Sequence, residues 1–477
     1  MIDNRMGDSG MEDNRIQDNR MEDKEDYLST LNERQLDAVT TTEGYVRIIA
    51  GAGTGKTKAL THRYAYLVNE LGISTSNILC VTFTNKAARE MSKRIRQMIG
   101  DSDTGYICTF HGFCVKLLRE DIHAINFPQN FVVMDDEDTE EILKTVYENA
   151  HIQSRTYTFD SARDHITALK SQMLHIPYLA EIGNEKLLAD YEKAEKVEDK
   201  VFLGYLYEQK KVYGLDYDDL ITIALYILQT DETKRIKWQE RMMYVMVDEF
   251  QDVSNSQYAL AEILSGYHRN LFIVGDPDQT IYTWRGAQIE YILEFDETHE
   301  NTRTIFLDMN YRSTPEILAV SNSLIEKNKK RLPHRLEAYK ESGRRPIYIH
   351  SRTTGDEAQW MTSEIQRLVS EGVSYNEMAV LYRSHFVSRN IEESFIKAKI
   401  PYTLYSGVEF YKRKEIKDVL AYLRMIVYSD DLSFRRVINE PKRNFGKKRM
   451  ALVKAYAESH RCSLYNGLPV SYTHLTL

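Results

Sequence analysis

From about Tyr27 onward, short apolar runs alternate with stretches whose apolar residues recur every three or four positions. That alternation predicts parallel strands covered by amphipathic helices, an α/β fold. The strand candidates are 46–49, Ile78–Val81, Tyr244–Val247, 271–274 and 304–307, and each ends at a polar cluster. In an open parallel sheet, ligands bind beyond the carboxyl ends of the strands, so chemistry is expected at those clusters. Residues 116–213 break the pattern. They are charged and helical in period, which predicts a helical subdomain inserted between 27–115 and 214–306. LITIALYIL at 220–228 reads as a buried helix, too short to cross a membrane. A second α/β domain is expected to begin over 307–403, with strand candidates at 346–350 and 378–382. EIKDVLAYLRMI, starting at Glu415, is helical in period, and 404–468 is expected to open a second helical subdomain.

The two ends read differently. Residues 1–26 repeat as MIDNRMGD, MEDNRIQD and NRMEDKED, with almost no apolar content, which predicts a disordered acidic tail and leaves Met21 as a second candidate start. PVSYTHLTL at 469–477 continues no pattern and matches the translation of a transposon-type sequencing adaptor, so it is expected to be a non-native tail.

Length and composition narrow the class. At 477 residues, and about 150 residues per domain, roughly three domains are expected. Hydrophobic residues make up 42%, enough for sizeable cores. The absence of any run of about 18 apolar residues argues against a membrane span, and the polar start argues against a signal peptide. The four cysteines, Cys80, Cys108, Cys114 and Cys462, form no CxxC or zinc spacing and fit core thiols in a reduced cytoplasm. The net charge of −9 looks unfavourable for a nucleic-acid binder. Residues 1–26 carry nine acids against four bases, so −5 of it is local and −4 remains for the rest. A basic groove can sit on an acidic body.

The strongest chemical signal is Ala50-Gly51-Ala52-Gly53-Thr54-Gly55-Lys56-Thr57-Lys58, which follows a strand candidate and opens a helix. It fits a phosphate-binding P-loop with Ala50 in place of the first glycine. Backbone N–H groups cradle phosphate, Lys56 reaches the β- and γ-phosphates, and Thr57 holds Mg²⁺. A chance glycine turn would not be followed by a second motif. Here Asp248 and Glu249 stand at the end of an apolar strand, suited respectively to bind Mg²⁺ and to orient an attacking water.

Taken together, the motifs resemble the UvrD/PcrA/Rep group of superfamily 1 DNA helicases. LNERQ around Gln35, the P-loop, FTNKAAREM from Phe83, TFHGF around His111, DEFQD from Asp248, GDPDQTIYTWRGA from Gly275 and MNYRS from Met309 run in the family's order through 27–465. The resemblance implies RecA-like P-loop NTPase domains with inserted helical subdomains. It implies that Gln35 reads adenine, that Tyr311 stacks on it, that Gln279 senses the γ-phosphate and that Arg312 contacts it. It further implies DNA contacts by Phe83, Thr84, Asn85, Lys86, His111, Tyr282, Trp284 and Arg285. Lys86, Arg89, Lys93 and Arg96 also form a basic helix face by spacing, although such faces are often simply solvated. A lone Trp is more often core, but aromatic stacking suits a motor that reads no sequence.

The implied activity is ATP- and Mg²⁺-dependent translocation in the 3′-to-5′ direction on single-stranded DNA and 3′-tailed duplexes, in repair or replication restart. Two alternatives stay open, an ATP- and DNA-binding module with poor turnover and the helicase subunit of a helicase–nuclease complex. Nothing in the sequence names protein partners. The family's later motifs V and VI, which carry a second γ-phosphate arginine, do not occur in these 477 residues, so impaired turnover by this chain alone is expected.

Overall fold

The computed structural model describes residues 27–100, 103–384, 387–405 and 414–468, so the expected tails at 1–26 and 469–477 lie outside the described residues. The chain divides into two compact units, Met1–Arg344 and Arg345–Leu477.

The first unit is built on a six-stranded parallel sheet. Its strands are β1 (Tyr45–Ala50), β2 (Ile78–Val81), β3 (Tyr106–Cys108), β6 (Tyr244–Val247), β7 (Leu271–Gly275) and β8 (Arg303–Leu307), in the order β3-β2-β6-β7-β1-β8. Two-residue strands β4 (Val132–Val133) and β5 (Gly214–Leu215) pair separately, as do β9 (Met309–Asn310) and β10 (Glu337–Ala338). All five sequence candidates for this sheet form. The sixth strand, β3, escaped the sequence reading because it is a three-residue, half-buried edge strand with little apolar signal.

Side chains alternate across the sheet, so neighbours in sequence belong to different cores. Ile48, Ile78, Tyr244 and Phe272 face one core, with Ala38, Leu60, Tyr64, Met91 and Ile95 from helices α1 (Glu33–Thr40), α2 (Lys56–Asn69) and α3 (Asn85–Ile99) around it. Ile49, Leu79, Val245 and Ile273 face the other. That second core takes in α4 (Phe110–Asp121) and continues into the helices α5 (Asp136–Asn149), α6 (Phe159–Ser171), α7 (Ile176–Ala180), α8 (Asn184–Lys193) and α9 (Val197–Lys211). It ends on α10 (Tyr217–Thr230), α11 (Glu232–Arg241) and α12 (Asn255–Ser265). Helix α10 contains the LITIALYIL run and is buried along most of its length.

The helix starts follow from capping chemistry. Asn32 and Gln35 form a reciprocal capping box at α1, Thr84 caps α3 and Thr109 caps α4. Asp216 caps α10 and also anchors the helices before it. Fully buried Lys170 of α6 lies 2.5 Å from Asp216 Oδ2 and 2.7 Å from Asp219 Oδ1, and Tyr205 Oη donates to Asp216 Oδ2 at 2.7 Å. Burial works to raise both carboxyls. Lys170 overcomes it at Asp216, whereas at Asp219 burial and the neighbouring Asp216 charge prevail.

The second unit is helical among its described residues. Helices α14 (Thr354–Ser370) and α15 (Ser388–Lys397) pack through Ala358, Ile391 and Phe395, following α13 (Pro315–Ile325) of the first unit. Helices α16 (Lys414–Tyr428), α17 (Asp431–Val437) and α18 (Lys447–His460) follow, with a small core of Phe434, Phe445, Val453 and Leu464. The strands expected at 346–350 and 378–382 do not form. Both segments lack a ladder partner among the described residues; Tyr348 is 85% and Leu381 92% exposed, while Val380 and Tyr382 pack against the core of α14 and α15 without forming a strand. Apolar runs specify a strand only when a neighbour supplies the ladder.

Removing Lys170 leaves Asp216 buried without its counter-charge. Lys170→Met is expected to destabilise the first unit by about 3–5 kcal/mol. Urea unfolding would show the loss as a lower midpoint, and an unchanged midpoint would mean that the network carries no net stability.

Candidate active site

Five loops meet at the carboxyl edge of the sheet, after β1, β2, β6, β7 and β8. The first is the glycine turn between β1 and α2. Gly53 and Gly55 adopt left-handed backbone with φ of 76° and 92°. A Cβ on Gly53 would lie 2.6 Å from Arg312 Cβ, so only glycine lets the turn approach the 310–312 segment. Four successive carbonyls of the turn are held from outside or across it. Gly51 O accepts from Thr54 Oγ1 at 2.9 Å, Ala52 O from Asn310 Nδ2 at 2.5 Å, Gly53 O from Tyr311 N at 2.9 Å and Thr54 O from Gln35 Nε2 at 2.9 Å. In a trans peptide the N–H opposes the C=O, so anchoring the carbonyls also fixes where the N–H groups point. Lys56 and half-buried Thr57 then open α2, whose amino end favours negative charge.

Beyond β6 stand the two acids. Asp248 is buried, and burial, aided by the Glu249 charge, pushes its carboxyl up to about 6. Its Oδ2 accepts from Thr82 Oγ1 at 3.2 Å, and its Oδ1 is buried without a hydrogen-bond partner. An unsatisfied hard oxygen next to a threonine-bearing phosphate turn fits a Mg²⁺ ligand set of Asp248 and Thr57. Glu249 is a non-glycine residue at φ 50°, a strained backbone of the kind found where function dictates geometry. Its Oε2 lies 3.3 Å from Lys56 Nζ and accepts from Gln251 Nε2 at 2.9 Å.

The other residues expected at the nucleotide lie around this centre. Gln35 lies beneath the turn rather than open to solvent, its Oε1 accepting from Asn32 N at 3.3 Å. Tyr311 accepts from Asn32 Nδ2 at 2.7 Å and its ring lies 5.0 Å from that of Tyr339. Lys58 Nζ donates to Thr30 O at 2.5 Å, and Arg312 is exposed above Gly53. Gln279 is exposed on the turn after β7 and donates to Asp276 Oδ2 at 2.5 Å.

The aromatic residues gather to one side. Phe83, after β2, stacks on Tyr282 at 4.7 Å with 25° between the rings, and Tyr282 lies 6.4 Å from Trp284. Trp284 is 68% exposed, which excludes the core reading of this residue. Thr84, Asn85 and Lys86 are exposed at the start of α3, where Lys86, Arg89, Lys93 and Arg96 form a solvent-facing basic row opposite buried Ala88, Met91 and Ile95. His111, at the start of α4, is half-buried against Tyr217, and burial lowers its pKa. The side chain of Arg285 lies outside the described residues. Sequence reasoning did not single out Gln251, Asn310, Thr82 or Asp276. Each lies in or beside a quoted motif, but its role depends on a partner distant in the chain.

A parallel sheet with a glycine phosphate turn, paired acids and a buried metal-ready oxygen at its carboxyl edge is a RecA-like P-loop nucleotide-binding domain. The UvrD/REP helicase N-terminal domain family matches residues 31–300, and the UvrD-like helicase C-terminal domain family matches 305–465. The chain belongs to the UvrD/REP helicase family. It is 40% identical over 443 residues to an ATP-dependent DNA helicase PcrA of Staphylococcus aureus strain Mu50, covering 92% of this chain and 60% of that protein. A protein of the same description from Staphylococcus epidermidis strain RP62A is 39% identical over the same shares. The chain therefore spans about three-fifths of the length of these relatives.

The raised Asp248 carboxyl has a stability consequence. The folded protein holds that proton up to about pH 6, well above the unfolded chain, so this group stabilises progressively as pH falls through 6 and costs stability above it. Asp248→Asn is expected to stabilise the ligand-free protein at pH 7.5 by on the order of 1–3 kcal/mol, and by roughly half as much at pH 5, because the penalty fades only as pH falls toward the unfolded value of 3.8. Thermal melts at the two pH values check this, and a variant less stable than wild type at pH 7.5 would overturn it.

Proposed function

We propose that the whole protein is an ATP-dependent DNA helicase that translocates 3′-to-5′ on single-stranded DNA and on 3′-tailed duplexes, serving repair or replication restart in the cytoplasm. The observation that carries the ATPase half is the convergence of Lys56, Glu249 and the unsatisfied Asp248 oxygen at the mouth of the anchored phosphate turn. The observation that favours DNA is the exposed Phe83–Tyr282–Trp284 cluster beside the basic row of α3. The staphylococcal relatives are ATP-dependent DNA helicases, which points the same way, and the direction and pathway rest on family resemblance.

The mechanism follows from these residues. The turn's N–H groups and Lys56 hold the β- and γ-phosphates of ATP. Glu249 orients a water and takes its proton as the water oxygen bonds to the γ-phosphorus. The bond from that phosphorus to the β,γ-bridging oxygen breaks, and ADP leaves with the electron pair. Lys56, and Arg312 from across the turn, balance charge on the transferring phosphoryl. Mg²⁺, held by Asp248 and Thr57, would screen the phosphate charge. Bases stacked on exposed aromatics at about 1–3 kcal/mol each give grip without sequence preference.

The test is ATP hydrolysis by this chain and by the complete product of its gene, with and without oligothymidylate. Stimulation by DNA is expected, with Lys56→Ala losing it by about 10²-fold or more. Trp284→Ala should weaken DNA stimulation while nucleotide binding holds, and an equal loss of both would remove Trp284 from the DNA track. Nucleotide and DNA binding without turnover in either protein would replace the motor with a binding module.

A further inference from the structure

Gln251 is only 2% exposed, yet its amide reaches three different parts of the site. Nε2 donates to Glu249 Oε2 at 2.9 Å and to Asp252 Oδ2 at 3.3 Å, and Oε1 accepts from Asp276 N at 2.9 Å. Each partner leads onward. Glu249 Oε2 also faces Lys56. Asp276 Oδ2 holds Gln279. The backbone of Ile281 and Tyr282, where the aromatic segment begins, lies near the Asp252 carboxylate, whose Oδ1 is buried without a hydrogen-bond partner.

The amide has little freedom in this position. A Cβ on Gly275 would come 2.6 Å from Gln251 Oε1, so the end of β7 is shaped around this side chain. The group it holds, Glu249, occupies a left-handed backbone that a non-glycine residue adopts only under local constraint. A primary amide is also the one uncharged side-chain group that can donate to two carboxylates and accept from a backbone N–H at once.

We infer that Gln251 is a positioning residue that ties the Glu249 carboxylate to the aromatic segment, so that a displacement of 281–284 by a DNA strand is transmitted to the base. The inference rests on the proposed ATPase reading and deepens it. The path has two short branches. From Tyr282 and Ile281 it runs through Asp252 to Gln251 Nε2, and from Gln279 through Asp276 to Gln251 Oε1. Both meet at Glu249. Because Nε2 is shared, a shift of Asp252 toward or away from the amide changes how tightly Glu249 is held.

Two variants test this in the complete gene product. Gln251→Met fills the space without donor or acceptor, and Gln251→Glu keeps the acceptor for Asp276 N while replacing the donor with a third carboxylate. Both are expected to lower the DNA-stimulated kcat by about 10²-fold while the KM for ATP moves by less than about threefold. Stimulation, the ratio of kcat with oligothymidylate to kcat without it, should fall toward one. A second readout needs no turnover. Anisotropy of a labelled oligothymidylate gives its affinity with and without a non-hydrolysable ATP analogue, and the coupling factor, of the order of 5–150 in such systems, should collapse toward one in both variants. Asp252→Ala, which leaves the Glu249–Gln251 bond in place, should lose coupling in the same assay.

If wild type hydrolyses ATP and couples to DNA while both variants keep their stimulation ratio and coupling factor, the inference is wrong and the motor reading stands. If wild type shows neither hydrolysis nor coupling, the motor reading falls and the inference with it. If Gln251→Met fails to fold, the Gln251→Glu and Asp252→Ala coupling factors decide, and retention of coupling in both overturns the assignment.

Discussion

The site depends on carbonyl groups that never touch a phosphate. Gly51 to Thr54 present their oxygens to Thr54, Asn310, Tyr311 and Gln35, and this outward anchoring aims the inward N–H groups. A free glycine turn would sample many conformations and lose much entropy on closing around a ligand. Here four bonds from within the protein supply that ordering. The anchors come from both flanks, one from helix α1 before the turn and two from the segment after β8, more than 250 residues later.

The anchoring explains why the chain commits so much of its sequence to one edge of a sheet. Each strand delivers one loop, and the loops bond to each other as much as to their own strands. Thr82 from the β2 loop holds Asp248 from the β6 loop, and Gln251 from the β6 loop holds Asp276 from the β7 loop. The price is visible at Asp248, a carboxyl kept in a place that disfavours its charge, and at Glu249, a residue kept in a backbone that disfavours its side chain. Both costs fall at the centre of the site, where strained geometry commonly accompanies function.

Much of this was legible in the sequence, and the limits are instructive. The buried strands of the central sheet were readable because parallel strands covered on both faces must be continuously apolar. The basic face of α3 was readable because its buried and exposed residues follow the helical period. Strands at 346–350 and 378–382 were misread because apolar alternation describes a side-chain pattern, whereas a strand also needs a hydrogen-bonding neighbour. Gln251 and Asn310 were passed over for a related reason. An uncharged amide inside a motif carries no signal of its own, and its meaning comes from partners such as Asp276 N and Ala52 O. Gln35 was legible through its motif, and the structure adds that its amide anchors the backbone of the phosphate turn.

The position of β1 in the sheet has one more consequence. It is hydrogen-bonded along its length to β7 on one side and β8 on the other, with Ile48 opposite both Val274 and Ile305. Its amides and carbonyls are thus paired on both sides, while β3 and β8 lie at the margins. Opening from the β3 margin peels away the loops after β2, β6 and β7 before it reaches the root of the phosphate turn, whereas opening from the β8 margin meets β1 next. Fraying confined to the β3 side would therefore loosen the aromatic cluster while leaving the phosphate turn rooted.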